Sequence, residues 1–177
     1  MRRFLTLTLT QVLLWGIFAE ANHALAGFRV YLFVGALYVV FAALTQPPRS
    51  GIFVSCVGGL ICDANSPVNF GLHLLLFALA HTILHRVRDR IATDDNISLI
   101  VVALLTNLAL FLVFSFTQIH ASPAPAAVWP RLIVDLVCSQ VALALVTPWF
   151  FALQGRALAL SDSVAARFTD RQPSLRS

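Results

Sequence analysis

The chain alternates long apolar stretches with short polar breaks, a pattern typical of membrane-spanning helices. Most of the six stretches approach or exceed the ~20 residues that a helix needs to cross a bilayer. Their predicted bounds are Phe4–Ala24, Phe28–Leu44, Gly51–Cys62, Phe70–His85, Ile97–Ile119 and Leu132–Leu153. The third is too short for a full crossing, so we expect a half-span, a tilted span or a helix that begins earlier. The fold class is therefore all-α and integral to the membrane, with six transmembrane helices.

The third stretch carries small residues at regular helical spacing and ends in an acid. Gly51, Ser55, Gly59 and Asp63 recur every fourth residue and form one ridge, against which another helix can pack closely. One interpretation is a packing helix that ends in a turn at Asn65-Ser66-Pro67. The other makes Asp63 a functional group, because an ionisable residue at membrane depth needs a partner. We expect that partner to be a backbone amide of the turn or an arginine on the same side, such as Arg29 or Arg131.

The composition excludes a soluble catalytic module. The 177-residue chain is 59% hydrophobic and 11% charged, whereas roughly a quarter of the residues in a soluble domain are charged. We expect one transmembrane domain over residues 1–160 and a disordered cytoplasmic tail over residues 161–177. The net charge of +4 comes from arginines dispersed between apolar stretches, which argues against nucleic acid as a partner. The three cysteines match neither a disulfide framework nor a zinc spacing.

The arginines predict the orientation of the chain. With six crossings, ten of the 12 arginines fall on the side that holds both termini, and two fall opposite. The ten are Arg2, Arg3, Arg49, Arg86, Arg88, Arg90, Arg156, Arg167, Arg171 and Arg176. Because cytoplasmic loops carry the excess of basic residues, both termini are predicted to be cytoplasmic. The basic start and Ala24-Leu25-Ala26 also resemble a signal peptide, an alternative that the length of the first stretch disfavours.

Several polar residues and one proline are candidates for structural contacts. Arg29 opens the second stretch, where its side chain can reach the interface. Arg131 and Asp135 are one helical turn apart and can form an ion pair. Asn107 in the fifth stretch predicts an interhelical hydrogen bond, and Pro148 predicts a kink in the sixth.

Candidate catalytic and metal sites are weak. His81 and His85 share one helix face and could ligate a metal, but no acid or cysteine on that stretch completes a site. We find no nucleophile with its base, no glycine-rich phosphate loop and no carboxylate pair. The residues alone therefore predict a membrane protein without enzymatic activity, metal or cofactor, and they do not distinguish a transporter from a scaffold.

The middle and end of the chain, from Phe28 to Leu158, resemble the MreD family of rod shape-determining proteins. That family has an arginine at the second span, here Phe28-Arg29, and a short helix with a glycine four residues before an aspartate, here Gly59 and Asp63. A glycine after the polar turn, here Gly71, and a Pro-Trp pair near the end of the last span, here Pro148-Trp149, complete the resemblance. The chain departs from the family at Ser55, where a further glycine is common, and at the inserted-looking turn.

The resemblance implies a fold similar to the substrate-binding subunits of energy-coupling-factor (ECF) transporters, in a bacterial inner membrane. It implies a non-enzymatic role in cell elongation, with MreC as a partner and with MreB and the elongation peptidoglycan synthases as further candidates. The glycines and Asp63 would then shape a groove or pocket, and no small-molecule ligand is expected.

Two other functions remain open on the residues. A substrate-binding subunit of a vitamin-type transporter would hold a ligand near the midplane of the membrane. An intramembrane enzyme or ion pathway would use Asp63, Asp135 and His81. Neighbouring shape genes would favour the scaffold, whereas a neighbouring ATPase module or a co-purifying ligand would favour transport.

Overall fold

The computed structural model describes residues 2–64, 70–91, 96–121 and 125–169, and every regular element in these ranges is helical. The α-helices are α1 (Arg2–Leu25), α2 (Gly35–Thr45), α3 (Pro48–Ala64), α4 (Leu72–Val87), α5 (Asn96–Ala121) and α6 (Pro125–Thr169). Short 3-10 turns follow α1 at Ala26–Phe28 and α4 at Arg88–Arg90. The predicted all-helical fold with six helices is confirmed. The turn Asn65-Ser66-Pro67 lies outside the described residues.

Helix α2 forms the centre of the bundle. Every residue from Gly35 to Leu44 is buried, and α3, α4, α5 and α6 all pack against this helix. Around it, α1 contacts α3 and α6, α3 contacts α4, and α5 contacts α6. A helix that is apolar on all sides is stable only where other protein elements surround it, which explains the central position of α2.

Within the described ranges, three helices are long and apolar enough to cross a membrane. The corresponding segments are Arg3–Phe28, Ile97–His120 and Val128–Ser163. Helices α3 and α4 have 17 and 16 residues, or about 25 Å of helix beside a ~30 Å hydrocarbon layer. Three alternatives were predicted for the short third stretch, and the structure shows the last of them. The helix begins earlier than Gly51, at Pro48. Proline suits the first turn of a helix, because the N–H that it lacks has no intrahelical partner there.

The second helix begins at Gly35, so the predicted start at Phe28 is wrong. Arg29 does not open a helix: it follows the 3-10 turn in a left-handed conformation, with φ 56°. Residues 30–34 then run without regular structure to the start of α2. A left-handed backbone costs a residue other than glycine roughly 1–2 kcal/mol. Residues 30–34, the non-helical segment, therefore depend on contacts from other helices to hold this geometry.

The sixth helix is longer at both ends than its predicted bounds of Leu132–Leu153. It includes Pro130 and Pro148, and its last turns fall within the region for which the sequence predicts a tail. Pro148 removes the N–H that would have bonded one turn back, and the preceding Thr147 hydroxyl donates to the Leu143 carbonyl at 2.6 Å. The kink at Pro148 stays a prediction.

One ion pair joins the two ends of the described chain. Arg3 on α1 contacts both carboxylate oxygens of Asp162 on α6, at 3.0 Å from Nε and 2.7 Å from Nη2. The start of α1 and the late part of α6 therefore lie at the same end of the bundle.

Candidate functional site

The small-residue ridge of α3 packs against α4. A Cβ atom on Gly59 would lie 2.6 Å from Leu74 Cα and 2.8 Å from Leu74 N, so this helix crossing has no room for a side chain. A Cβ atom on Gly51 would lie 2.5 Å from His81 Cε1 and 2.9 Å from the Ala42 carbonyl oxygen. Gly59 therefore allows contact with the α4 backbone, and Gly51 makes room for the His81 side chain of α4 and a backbone carbonyl of α2.

Ser55 and Gly58 allow α3 to pack between two helices, α4 and α2. The Ser55 hydroxyl lies 3.1 Å from Nδ1 of His81, and both side chains are buried. On the adjoining face, a Cβ atom on Gly58 would lie 2.9 Å from Tyr38 Cβ on α2. Small residues on two faces thus allow α3 to approach α2 and α4 together.

Asp63, the last residue of the ridge, caps the beginning of α4. Its Oδ2 accepts from the backbone N–H groups of Gly71 at 3.0 Å and Leu74 at 3.1 Å, and its Oδ1 accepts from that of His73 at 3.0 Å. The first amides of a helix have no intrahelical partner, and a negative charge at this end is favourable. The N-cap residue is Gly71, which has no side chain that could do this, so α3 supplies the cap for α4.

Gly71 has a conformational role and does not take part in the packing ridge. Its φ of 97° lies in the left-handed region, which glycine adopts without strain, and a Cβ atom there would meet nothing within 4 Å. The implied groove or pocket shaped by Gly71 together with the α3 glycines stays a prediction. The glycine turns the chain so that its own N–H reaches Asp63.

Asp63 also fixes the orientation of His73. Nδ1 of His73 lies 2.8 Å from Asp63 Oδ1, and the imidazole stacks on Phe114 of α5 with ring centroids 4.1 Å apart. Phe77 meets the imidazole edge-on, with centroids 6.0 Å apart. An ionised Asp63 can only accept hydrogen bonds, so the proton of a neutral His73 sits on Nδ1 and leaves Nε2 as an acceptor.

The non-helical segment is held by polar side chains from α1 and α6. The Asn22 amide of α1 accepts from Leu32 N at 2.7 Å and donates to Leu32 O at 3.1 Å. On α6, Asp135 accepts from Tyr31 N at 2.8 Å, and the Ser139 hydroxyl accepts from Phe33 N at 2.9 Å. Side chains thus replace the helical hydrogen bonds that this segment lacks.

Asn107 of α5 completes the support. It donates to Phe33 O at 3.0 Å and accepts from Ala36 N at 3.3 Å, which confirms its predicted hydrogen bonding to another element. Non-helical backbone in a membrane protein persists where protein groups satisfy its N–H and C=O groups. Three surrounding helices meet that requirement here and explain how the irregular geometry persists.

The predicted arginine partners of Asp63 lie elsewhere. Among the described residues, Asp63 pairs with His73, and Arg131 approaches Asp135 with Nε 3.7 Å from Oδ2. Arg29 is exposed on the turn that precedes the non-helical segment. Of the two kinds of partner predicted for Asp63, the structure has backbone amides, those of Gly71, His73 and Leu74, and a histidine takes the place of the arginine.

The two histidines considered as metal ligands have other contacts. His85 Nδ1 lies 3.1 Å from the Ala43 carbonyl, and the rings of His81 and His85 stack with centroids 5.8 Å apart. In the part of the chain that the structure describes, no group of three metal-ligating side chains occurs.

The role of His73 and the grouping of Asn22, Asp135 and Ser139 were not predicted from the sequence. His73 stands ten residues after Asp63, across a turn whose geometry no periodicity predicts. Asp135 and Ser139 are one turn apart on α6, so a paired polar face was visible in the sequence. The sequence did not indicate that this polar face binds a backbone segment rather than another side chain.

These features define a class: a polytopic helical membrane protein whose buried polar side chains hold helix ends and a non-helical segment. A family model for the rod shape-determining protein MreD matches residues 1–155. The match covers most of the chain, so the chain belongs to the MreD family, as its sequence resemblance predicted. Membership places it among membrane proteins that determine rod shape. No curated protein and no solved structure matched it, so the similarity to ECF subunits stays a prediction.

Proposed function

We propose that this chain is a non-enzymatic scaffold of the cell-elongation machinery, in which it binds MreC and assembles with MreB and the elongation peptidoglycan synthases. The observation that carries the proposal is the use of its buried polar groups. Asp63 caps α4, Asn107 and Ser139 hold the non-helical segment, and Ser55 bonds to His81. Polar groups that fix the shape of a bundle suit a protein that presents a rigid surface to partners.

We place the chain in the bacterial inner membrane with six crossings and both termini in the cytoplasm. The Arg3–Asp162 pair supports this topology, because it brings α1 and α6 together at the arginine-rich end. Asn22, which binds the non-helical segment, lies 19 positions after Arg3 on the same helix, or about 28 Å at 1.5 Å per residue. That is close to the ~30 Å thickness of the hydrocarbon layer, so the segment belongs near the outer interface.

The proposal is tested by deleting the gene in its native host and restoring it with matched variants. Gly59→Leu drives a side chain into the α4 backbone, whereas Gly155→Leu makes the same change where a Cβ atom meets nothing within 4 Å. We expect rounded cells after deletion, rod shape with wild-type or Gly155→Leu, and neither rod shape nor MreC binding with Gly59→Leu. Normal rods after deletion, or full rescue by Gly59→Leu, would contradict the scaffold function.

A further inference from the structure

Helices α4 and α5 meet at one end and separate towards the other. At the end where Asp63 caps α4, the His73 ring stacks on Phe114 of α5 with centroids 4.1 Å apart. Elsewhere in the described chain, α4 is in close backbone contact with α2 and α3, and α5 with α2 and α6, but hardly with each other. A groove of about 310 Å³ opens between α4 and α5 on the outside of the bundle.

The walls of this groove are apolar. The side chains of Leu84 and Leu110 are buried at its floor, and exposed side chains such as Leu79 and Leu105 form its rim. No charged residue of the described chain lines it. A polar or charged group placed there would lose its hydration without gaining a partner, which is costly. The occupant of the groove must therefore be apolar.

The size of the groove suits one acyl chain and excludes a helix. At ~30 Å³ each, its volume equals about ten groups of the size of a water molecule or a methylene. A helix about 10 Å wide and 15 Å long has a volume of roughly 1,200 Å³. The lining residues of α4 run from Leu76 to Leu84, or about 12 Å at 1.5 Å per residue. That length is close to the ~15 Å of one leaflet, half of the ~30 Å hydrocarbon layer.

The groove leads towards a charged side chain. A second opening, of about 380 Å³, lies one helical turn further along α5, where Val101 stands four residues before Leu105. The exposed Arg90 lines this second opening and is the one charged side chain among the described residues of either wall. The order of the parts matches a phospholipid, which has its chains in the hydrocarbon layer and its phosphate at the surface.

The charges around Arg90 favour an anionic head group. Arg86 and Arg88 lie at the same end of α4, and Asp89 is the acid beside them in the described residues, with Oδ1 3.5 Å from Nε of Arg88. The dipeptide Asp94-Asp95 lies outside the described residues. Lipid tails are as apolar as the groove, so the chain alone selects no particular lipid. The head group decides, and basic clusters at the ends of membrane helices recognise anionic head groups.

We propose that the groove between α4 and α5 binds one acyl chain of an anionic phospholipid, whose phosphate lies against Arg90. This site goes beyond the proposed scaffold function, which needs no bound lipid. The lipid would join α4 to α5 where the two helices do not pack on each other. The leaflet that supplies it follows from the proposed topology, but the binding itself does not depend on that topology.

The test titrates the full chain, delipidated in detergent, and counts bound lipid by native mass spectrometry. The probes are phosphatidylglycerol and phosphatidylcholine with identical acyl chains, and glycerol phosphate, which has the phosphate without a chain. We expect saturable binding of one phosphatidylglycerol and an affinity at least about fivefold weaker for phosphatidylcholine, the effect of one arginine near an anionic head group. Glycerol phosphate should not bind, because it has no chain to fill the groove.

Two pairs of variants locate the two parts of the site. Arg90→Gln should weaken phosphatidylglycerol binding about fivefold and abolish the preference between the lipids, whereas Arg156→Gln, at an exposed position of α6, should change neither. Ala109→Phe fills the groove and should lose both lipids, whereas Ala152→Phe makes the same change at an exposed position of α6 and should keep them.

Four results would overturn the proposal: no saturable lipid binding by wild type, equal affinity for the two lipids, binding of glycerol phosphate as tight as that of phosphatidylglycerol, or unchanged lipid binding in Arg90→Gln. The first three need no variant, and Arg90→Gln alters an exposed side chain outside the helical core. Misfolding of Ala109→Phe therefore cannot hide a failure.

Discussion

Replacing Asp63 with asparagine exchanges one carboxylate oxygen for an amide NH₂ group at the start of α4. In the wild type, one oxygen accepts from the Gly71 and Leu74 amides and the other from the backbone and imidazole of His73. The best arrangement for asparagine keeps its oxygen on the first pair and turns its NH₂ towards His73. The imidazole can then shift its proton to Nε2 and accept at Nδ1, but the His73 backbone N–H meets a donor.

The magnitude follows from what that arrangement loses. One buried donor left unsatisfied costs about 1–3 kcal/mol. The lost negative charge at the helix N-terminus adds roughly 0.3–1 kcal/mol. We therefore expect Asp63→Asn to lower the free energy of unfolding by about 1–4 kcal/mol, and Asp63→Ala to lower it further, because alanine leaves every donor unpaired. Asparagine serves turns well in other settings, and the four donors around Asp63 are the reason that it fails here.

The assay is reversible denaturation in mixed detergent micelles, together with hydrogen exchange at the first amides of α4. Asp89→Asn is the control, since the Asp89 side chain is 88% exposed and surface changes stay within about 0.5 kcal/mol. Exchange should accelerate at the His73 backbone amide in Asp63→Asn, because that amide loses its acceptor, and stay unchanged in Asp89→Asn. Equal stability of Asp63→Asn and wild type would refute the capping account, whatever the effect on cell shape.

Three further predictions follow from the same contacts. Gly71→Ala should destabilise the protein by roughly 1–2 kcal/mol through its left-handed backbone, and an unchanged melting temperature would contradict this. Asn107→Ala leaves the Phe33 carbonyl and the Ala36 N–H unpaired, so it should cost at least about 2 kcal/mol and speed hydrogen exchange at Ala36; unaltered exchange would exclude that role. After removal of the native cysteines, a membrane-impermeant thiol reagent should label a cysteine at Asn65 from outside and miss one at Arg88, and the reverse pattern would invert the topology.

Helical periodicity was sufficient to predict the ridge that packs on α4. Gly51, Ser55 and Gly59 share a face whatever the rest of the chain does, because their spacing is a property of the helix itself. The helix that receives the ridge was not predictable, since any apolar helix offers a surface to small residues. In the structure, the short distances from Gly59 to Leu74 and from Gly51 to His81 identify that helix as α4.

The start of α2 shows where pattern reasoning fails. The stretch from Phe28 to Leu44 reads as one apolar span, yet residues 30–34 are not helical. The local sequence cannot indicate this, because the hydrogen bonds that replace the helical ones come from Asn22, Asn107 and Ser139 on three other helices. The partner of Asp63 was hidden for a similar reason: His73 comes close only after the chain turns at Gly71.

The most direct test of the scaffold function is capture of the native complex. The chain, tagged at its C-terminus and expressed at its natural level, is purified from cross-linked membranes of its own host, beside Asp63→Ala and Gly155→Leu. Our account predicts that MreC co-purifies with wild type and with Gly155→Leu, and that Asp63→Ala loses it in proportion to its loss of folded protein. Recovery of a transport ATPase pair in place of MreC, with normal cell shape in the deletion strain, would contradict the scaffold function and assign the chain to transport.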